Sequence, residues 1–274
     1  MNGLKLLAPA KLNLFLHVTG QRADGYHELQ TLFQLLDWGD TLTIEPLDSP
    51  GILLTGDSSG IPVEDNLIVR AARRILPDGY GVRIHCDKRI PMGGGLGGGS
   101  SDAAATLLGI DQLFALQTSI DQLAAIGLAL GADVPVFVRG QSAWAEGVGE
   151  QLSPVALPES YYVVVHPGCH IATGEIFTDP ELTRDTAAIT MSTFFAGHSR
   201  NDLQPVVERR WPAVHDALVW LGRFAPALMT GSGACVFAAF QSEREAAQVA
   251  SEVPEGWRGF VARGINRRPQ PVTF

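Results

Sequence analysis

Cysteine is scarce in this sequence. Three cysteines occur among 274 residues, and Cys86, Cys169 and Cys235 lie far apart, without the close spacing of a zinc site. Disulfide frameworks and structural metal sites both depend on paired or clustered cysteines, so the sequence predicts neither. The same scarcity favours a reducing, cytoplasmic setting.

Long apolar runs are also missing. Lys5 and Lys11 interrupt the N-terminal apolar residues before any small-residue cleavage pattern, so we expect no signal peptide. Runs such as Tyr161 to Val165 are far shorter than the roughly 20 residues that cross a bilayer. The sequence therefore predicts no membrane partner.

Clusters of basic residues are the third absence. The formal net charge is −9, and Lys and Arg are not concentrated in any segment. Binding to nucleic acid depends on such clusters, so no nucleic-acid partner is expected. An anionic small molecule would have to be attracted locally, by backbone N–H groups and a few cations. Heptads and symmetric patches are lacking too, which leaves a monomer and a weak homodimer both open.

Glycine, by contrast, is concentrated in one loop. Six of the seven residues from Gly93 to Gly99 are glycine, which permits positive φ and lets N–H groups approach an anion closely. A predicted strand over Tyr80 to Ile90 precedes the loop, and a predicted helix follows from Ser100 to about Leu108. We therefore predict a phosphate-binding loop. Its candidate residues are Pro91, Met92, Gly93, Gly94, Gly95, Leu96, Gly97, Gly98, Gly99, Ser100 and Ser101.

The glycine pattern alone leaves the kind of nucleotide open. Gly93, Gly95 and Gly98 satisfy the G-x-G-x-x-G spacing of a dinucleotide site, and a Rossmann-type nicotinamide dehydrogenase is an alternative. Against it, the predicted helix leads into more helix and not into a second buried strand that ends in an acid. A Walker-type loop is excluded because no Lys-Ser or Lys-Thr pair closes the run.

The rest of the chain predicts a mixture of strands and helices. Residues 11–18 alternate as a strand, and residues 29–47 predict two strands joined at Trp38-Gly39-Asp40. Helices are expected over 66–76, capped by Asp65 or Asn66, over 120–130, over 214–221 and from about 243. Strands are expected over 161–165 and 235–240. Asp133 lies in a tight connection after Gly131, and a Pro-rich segment places a domain boundary between residues 152 and 153.

Three segments, PAKLNLFLHVTGQRADGYHE, PMGGGLGGGSSDAA with LGADVPVFVRG, and TGSGACVFA, resemble the conserved blocks of the GHMP kinases. The resemblance implies an α+β fold of two domains with the active site in the cleft between them. Residues 1–152 would form an ATP-binding domain like ribosomal protein S5 domain 2. Residues 153–274 would form a ferredoxin-like C-terminal domain.

The reaction that the resemblance implies is phosphoryl transfer from ATP. The first block and the GADVPVF segment are most similar to family members that phosphorylate the 2-hydroxyl of a cytidyl-linked methylerythritol, in non-mevalonate isoprenoid biosynthesis. The family's catalytic pair falls on Lys11 and Asp133. From the residues alone, Lys11 could be a solvated strand lysine and Asp133 a turn cap. A kinase for another small alcohol, or a nucleotide-binding regulator without turnover, remains an alternative.

The resemblance also implies binding residues. Asn66 and Lys88 match positions on the adenine side, although an N-cap and an exposed charge would explain them equally well. Tyr26 would stack on a cytosine and His27 would bind its edge.

Further acceptor-side candidates are Asn13, Thr173 and Phe177, where Phe177 could close the other face of the base. Gly174 stands where some relatives have proline, which would loosen that segment. We expect Mg²⁺ to accompany ATP, with Asp102 and Asp133 nearest but no ligands assigned.

Overall fold

The computed structural model describes residues 3–57, 59–197 and 200–274, and its main feature is one extended β-sheet flanked by helices. The strands are β1 Leu4–Gln21, β2 His27–Leu47, β3 Gly51–Thr55, β4 Gly81–Asp87, β5 Ala143–Glu146, β6 Gln151–Pro154, β7 Tyr161–His166, β8 Ala227–Met229, β9 Val236–Phe240, β10 Arg258–Ile265 and β11 Val272–Thr273. The helices are α1 Leu67–Ile75, α2 Gly98–Leu113, α3 Ile120–Leu128, α4 Val134–Arg139, α5 Thr173–Phe177, α6 Met191–Phe195, α7 Gln204–Arg210, α8 Pro212–Leu221 and α9 Glu243–Ser251.

Strands β1 and β2 form a long antiparallel hairpin that carries much of the site. The predicted break in β2 at Trp38-Gly39-Asp40 is wrong, because the strand runs unbroken through it. Gly39 pairs with Pro9 where the register shifts, and a Cβ on Gly39 would lie 2.1 Å from the Ala8 carbonyl oxygen. The glycine therefore marks a close approach of two backbones at an irregularity, which the sequence pattern does not distinguish from a turn.

The other edge of β2 joins the two halves of the chain. Along it β2 pairs in turn with β5, β10 and β4, and β10 continues outward to pair with β7, which pairs with β9. Among the strands of the described residues, β3 and β4 make the one parallel pair. A dinucleotide fold needs a mostly parallel sheet, so this topology does not fit the Rossmann alternative.

Helix α2 covers the β1–β2 face and positions the glycine loop. Gly109 of α2 lies so close to the sheet that a Cβ there would be 2.4 Å from the Ile44 Cδ1. A second core forms where α7, α8 and α9 cover β7 and β9, and contains Val163, Val207 and Leu221. The family-derived expectation of an α+β fold is confirmed. The boundary proposed between 152 and 153 falls inside β6, which pairs with β5.

Most predicted elements form with shifted ends. Asn66 caps α1, as predicted, by accepting a hydrogen bond from the Ile68 N–H at 2.9 Å. Helix α3 ends at Leu128 and β9 begins at Val236, each within two residues of the prediction. Helix α2 begins at Gly98, two residues before the predicted Ser100. Within the described residues, no helix is both long and apolar enough to cross a membrane.

Candidate active site

A cavity of about 970 Å³ opens beside the glycine loop. Its wall is formed by β1, the β1–β2 turn, the loop, the connection before α4, and the segment around α5. Residues from all three conserved-looking blocks, including Lys11, Asp133 and Ser232, line it together. Segments that are distant in sequence thus converge on one space.

Lys11 places a cation in the wall of this cavity, next to the glycine loop. Its side chain is only 4% exposed, so a solvated strand lysine is the wrong interpretation. The ammonium donates to the Asn13 Oδ1 and, at 2.9 Å, to the Gly95 carbonyl oxygen. It also lies 3.5 Å from the Asp133 Oδ2. A buried ammonium with three oxygen neighbours is held in a fixed position in the cavity wall.

Asp133 supplies the facing carboxylate. It precedes α4, in which Pro135 lies in the first turn, and its own backbone is helical, with φ −82° and ψ −11°. The side chain makes no capping hydrogen bond, so the turn-cap interpretation is wrong. About one third of it is exposed. The carboxylate is therefore available to a molecule in the cavity, next to a fixed positive charge.

Asn13 connects Lys11 to the rest of the site. Its Nδ2 donates to the Thr31 Oγ1 and its backbone N–H donates to the Thr230 Oγ1, both at 2.9 Å. The alternation that puts Lys11 and Asn13 on one face of β1 is confirmed by their shared hydrogen bond. Asn13 thus orients the ammonium while it lines the cavity itself.

The glycine loop needs its glycines for two physical reasons. Gly93, Gly95 and Gly97 have φ of +64°, +73° and +75°, in the left-handed region where other residues are strained. At Gly95 a Cβ would also lie 2.1 Å from the Thr230 carbonyl oxygen. The loop can therefore adopt this shape only with glycine at these positions.

The third block supports the loop from behind. The backbone N–H groups of Ala234 and Cys235 donate to the carbonyl oxygens of Gly93 and Gly94 at 2.9 and 3.1 Å. A Cβ on Gly231 would lie 2.9 Å from the Gly95 carbonyl oxygen. Gly231 therefore packs closely against the loop backbone and helps to hold the loop against the C-terminal half of the chain.

The two serines occupy the first turn of α2 and not its cap. The N-cap is Gly97, in the left-handed conformation and without a side-chain capping hydrogen bond, so neither Ser100 nor Ser101 caps the helix. Ser100 lines the large cavity. The Ser101 Oγ is buried and has no hydrogen-bond partner among the described residues. First-turn N–H groups and the helix dipole remain available to an anion here.

A smaller cavity, of about 220 Å³, lies on the other side of the loop. Ile61, Lys88 and Ile90 line it together with loop residues 91–99. The Lys88 ammonium is not an exposed charge. It donates at 2.6 Å to an oxygen of Asp40 and at 2.6 Å to one of Asp102.

Lys88, Asp40 and Asp102 form a buried cluster of charged side chains. Burial, together with the carboxylate of Asp40, raises the pKa of Asp102, although the ammonium of Lys88 opposes the shift. The Asp102 Oδ1 is buried and has no hydrogen-bond partner among the described residues. Asn66 is also buried. Its amide oxygen caps α1 and its amide nitrogen donates to Asp57. Both adenine-side candidates are therefore already held by protein groups.

The opposite end of the large cavity carries the acceptor-side candidates. Tyr26 is 66% exposed, on the β1–β2 turn, whereas His27 is buried. The rings of His27 and Phe177 lie 5.0 Å apart between centroids, at an angle of 31°. Burial, and secondarily the charge of Arg184, lowers the pKa of His27, which favours the neutral imidazole.

Helix α5 contributes Thr173 to the same wall. The hydroxyls of Thr173 and Ser232 lie 2.7 Å apart, which ties α5 to the third block. At Gly174 a Cβ would meet nothing within 4 Å, so a larger residue would fit there without a clash. Packing around this position therefore does not require glycine.

The chain is similar to known proteins along most of its length. Residues 66–141 match the family model of the GHMP kinases N terminal domain, and residues 190–259 match that of the GHMP kinases C terminal. A 4-diphosphocytidyl-2-C-methyl-D-erythritol kinase of Pseudomonas paraeruginosa is 55% identical over 96% of this chain and 94% of that protein. The chain belongs to the GHMP kinase family. It is therefore a kinase, and ATP is its co-substrate.

Other relatives agree. The enzyme of the same name from Pseudomonas aeruginosa is 54% identical over 96% of this chain and 94% of its own. A solved 4-(cytidine 5′-diphospho)-2C-methyl-D-erythritol kinase is 35% identical and superposes with a TM-score of 0.83, over 95% of this chain and 98% of the other. Methanococcus jannaschii mevalonate kinase, 16% identical with a TM-score of 0.69 over 96% and 98% of the two chains, shows the fold alone.

Several residues that shape this kinase site are missed by sequence reasoning. Asp40 holds Lys88 and accepts from the backbone N–H groups of Arg89 and Ile90, so it fixes the strand end that enters the loop. Asn201 donates at 2.8 Å to the carbonyl oxygens of Met229 and Gly231. Arg184 contacts His27. Asp40 lies in a pattern that predicts a turn, and the others lie in segments without periodicity, so no local signal reveals them.

Proposed function

We propose that this kinase transfers the γ-phosphate of ATP to the 2-hydroxyl of 4-diphosphocytidyl-2-C-methyl-D-erythritol, giving the 2-phosphate and ADP in non-mevalonate isoprenoid precursor biosynthesis. The observation that carries the proposal is the position of Lys11 and Asp133 in one cavity, between the glycine loop and the Tyr26–His27 turn. The names of the relatives at 55% and 35% identity support the choice of acceptor.

Chemistry at the pair follows from its geometry. Phosphoryl transfer passes through a loose transition state, so the protein mainly aligns the reactants and offsets charge. The acceptor oxygen attacks the γ-phosphorus, the bond to the β–γ bridging oxygen breaks, and ADP leaves. Asp133 orients the acceptor hydroxyl and takes its proton, and Lys11 stabilises negative charge on the transferred group.

Donor binding is proposed on the loop side. The triphosphate would lie along the N–H groups of residues 93–99 and the start of α2, where Ser100 lines the large cavity and the hydroxyl of Ser101 is buried behind it. The smaller cavity would take the adenine side, near Lys88 and with Asn66 behind it. Met92, which is 44% exposed, offers apolar surface at the cavity mouth.

Acceptor binding is proposed at the other end. Tyr26 has an accessible ring face for stacking on cytosine, and His27 has an imidazole nitrogen for its edge. Phe177 and Thr173 would complete this wall, and Asn13 would contact the polyol next to Lys11. The 970 Å³ of the cavity is large enough for an acceptor of this size together with the terminal phosphate of ATP.

Magnesium fits the site as a companion of the phosphates. Among the described residues, no group of three or more His, Cys, Asp or Glu side chains could hold a metal ion. Mg²⁺ commonly keeps several waters and uses phosphate oxygens with one or two carboxylates. Asp133 and Ser100 line the large cavity and would be the protein neighbours of the ion, whereas Asp102 lines neither cavity. The ion would supply further charge neutralisation.

The domain bounds, the cellular compartment and the oligomeric state are proposals as well. We place the ATP-binding domain at 1–152 and the C-terminal domain at 153–274, consistent with the separate family models over 66–141 and 190–259. All three cysteines are free, which supports a cytoplasmic setting. Monomer and weak homodimer both remain proposals.

The decisive experiment measures ADP release with ATP, Mg²⁺ and three separate acceptors: the cytidyl methylerythritol, mevalonate and homoserine. We expect turnover only with the first, and ³¹P NMR should show a new phosphomonoester on it. Turnover of mevalonate or homoserine alone would contradict the proposed acceptor while leaving the kinase assignment intact. Normal turnover in both Asp133→Asn and Lys11→Ala would contradict the mechanism.

A further inference from the structure

Arg184 makes an unusually complete set of hydrogen bonds at the edge of the large cavity. One guanidinium nitrogen, Nη1, donates to the Leu182 carbonyl oxygen at 3.0 Å. The other, Nη2, donates to the carbonyl oxygens of Phe177 and Asp179 at 2.9 and 2.8 Å. Its remaining group, Nε–H, donates to the His27 Nε2 at 3.1 Å. Three carbonyls therefore fix the guanidinium, and the fixed guanidinium points one N–H at the imidazole.

This contact determines the tautomer of His27. A guanidinium has N–H donors and no acceptor, so the His27 Nε2 must present its lone pair. In a neutral imidazole the proton is then on Nδ1. Phe177 packs against the ring at 5.0 Å, so the segment that anchors Arg184 also limits rotation of the imidazole. His27 is held in one tautomer and one orientation.

The Nδ1 group is free to act on a ligand. It makes no hydrogen bond within residues 3–57, 59–197 and 200–274, and His27 is one of the residues that line the large cavity. Cytosine and uracil differ at ring nitrogen 3, which is a bare acceptor in cytosine and an N–H donor in uracil. An Nδ1–H donor pairs with the first and opposes the second.

We propose that Arg184 is a positioning residue that locks His27 as an Nδ1–H donor and thereby makes the acceptor site select cytosine over uracil. This inference rests on the proposed function, because it assumes that a nucleobase meets His27. Arg184 acts through His27 and does not itself contact the base. Selectivity of this kind arises from an unpaired donor opposite the wrong base, which costs more than a missing contact.

The tautomer can be measured without substrate. Two-bond ¹⁵N–¹H correlations of the imidazole groups distinguish a protonated ring nitrogen from a bare one, and His27→Gln identifies the His27 signals among the seven histidines. At mildly alkaline pH we expect wild-type His27 to carry its proton on Nδ1. In Arg184→Met the signals should shift towards a mixture of tautomers. A wild-type His27 protonated on Nε2 would overturn the inference.

Kinetics then test the selectivity. The ratio of kcat/KM for the cytidyl acceptor to that for its uridyl analogue should fall roughly 10- to 100-fold in Arg184→Met, mainly through a higher KM for the cytidyl acceptor. Arg184→Lys keeps the charge, but its single ammonium cannot serve His27 and three carbonyls together, so a fall in the same direction is expected.

Arg210→Met provides the matched control. Arg210 binds the carbonyl oxygen and carboxylate of Glu175 in α5 and makes no hydrogen bond to His27. We expect the cytidyl-to-uridyl ratio to stay at the wild-type value in this variant. An equal fall of the cytidyl-to-uridyl ratio in Arg210→Met, or an unchanged ratio in both Arg184 variants, would overturn the role of Arg184. Either outcome would leave the proposed function intact. Failure of the wild type to use either nucleotide acceptor would overturn the proposed function as well.

Discussion

The ammonium of Lys11 lies 3.5 Å from the Asp133 Oδ2 while it donates to the carbonyl oxygen of Gly95 in the glycine loop. One buried cation thus contacts both the carboxylate that we propose at the reacting centre and the loop that would hold the phosphates. The proposed catalytic pair and the glycine loop are therefore directly connected. A change at Lys11 should affect structure and chemistry together, whereas a change at Asp133 should affect chemistry far more than structure.

Exchanging each member of the pair tests this difference. Both Lys11→Met and Asp133→Asn should lower kcat by roughly 10²- to 10⁴-fold. Lys11→Met should also lower the free energy of unfolding by about 1–3 kcal/mol, because Asn13 and Gly95 lose a buried donor. Asp133→Asn should cost less, since the residue is partly exposed, caps no helix and keeps an acceptor oxygen. Urea unfolding alongside the kinetics checks this. Equal destabilisation by both variants would contradict it.

Gly95 tests whether the loop needs close approach as well as positive φ. Gly95→Ala places a Cβ 2.1 Å from the Thr230 carbonyl oxygen, so the loop must move, and we expect KM for ATP to rise at least about 10-fold. Gly79→Ala is the matched control. Gly79 has φ +82° but nothing within 4 Å of its Cβ, so this variant should show only backbone strain of about 1–2 kcal/mol. An unchanged KM in Gly95→Ala would contradict the steric argument.

What the sequence predicts depends on how local the signal is. Short sequence patterns predict three features that the structure contains. These are the glycine loop, the α1 cap at Asn66, and the placement of Lys11 and Asn13 on one face of β1. Asp40 is different, since Gly39-Asp40 predicts a turn but lies in the middle of β2. Arg184 and His27 are 157 residues apart, and only the folded chain brings them together. Side-chain networks between distant segments leave no periodicity to detect.

Tyr26 should contribute to acceptor binding and not to stability. Its ring is 66% exposed, so Tyr26→Ala removes little buried surface, but it removes a face on which a base can stack. Stacking of a base on an aromatic ring commonly contributes about 1–3 kcal/mol, so KM for the cytidyl acceptor should rise roughly 5- to 150-fold. The melting temperature and KM for ATP should stay near the wild-type values. Tyr26→Phe keeps the ring and should retain most of the affinity. A large loss in Tyr26→Phe would show that the hydroxyl, and not the ring face, binds the acceptor.

Asp102 should make stability depend on pH. Burial and the Asp40 carboxylate raise its pKa in the folded state above the value in the unfolded chain, so the folded state binds the proton more tightly. Its contribution is most favourable at low pH and is lost as pH rises from the usual Asp range towards the raised pKa. The opposing Lys88 ammonium stays charged throughout this window, because its pKa is raised above the ordinary lysine value.

Asp102→Asn cannot ionise at this position, yet it keeps an oxygen that can accept from Lys88. The free energy of unfolding of the wild type minus that of Asp102→Asn should therefore decrease as pH rises from the usual Asp range to about 7 and change little above it. Burial lowers the pKa of His17, His27 and His166, which gives the opposite slope, but these histidines are present in both proteins and cancel in the difference. Denaturant unfolding across this range measures it. A difference that grows with pH would mean that Lys88 keeps Asp102 ionised in the folded protein, since its favourable charge would then outweigh the burial of the carboxylate.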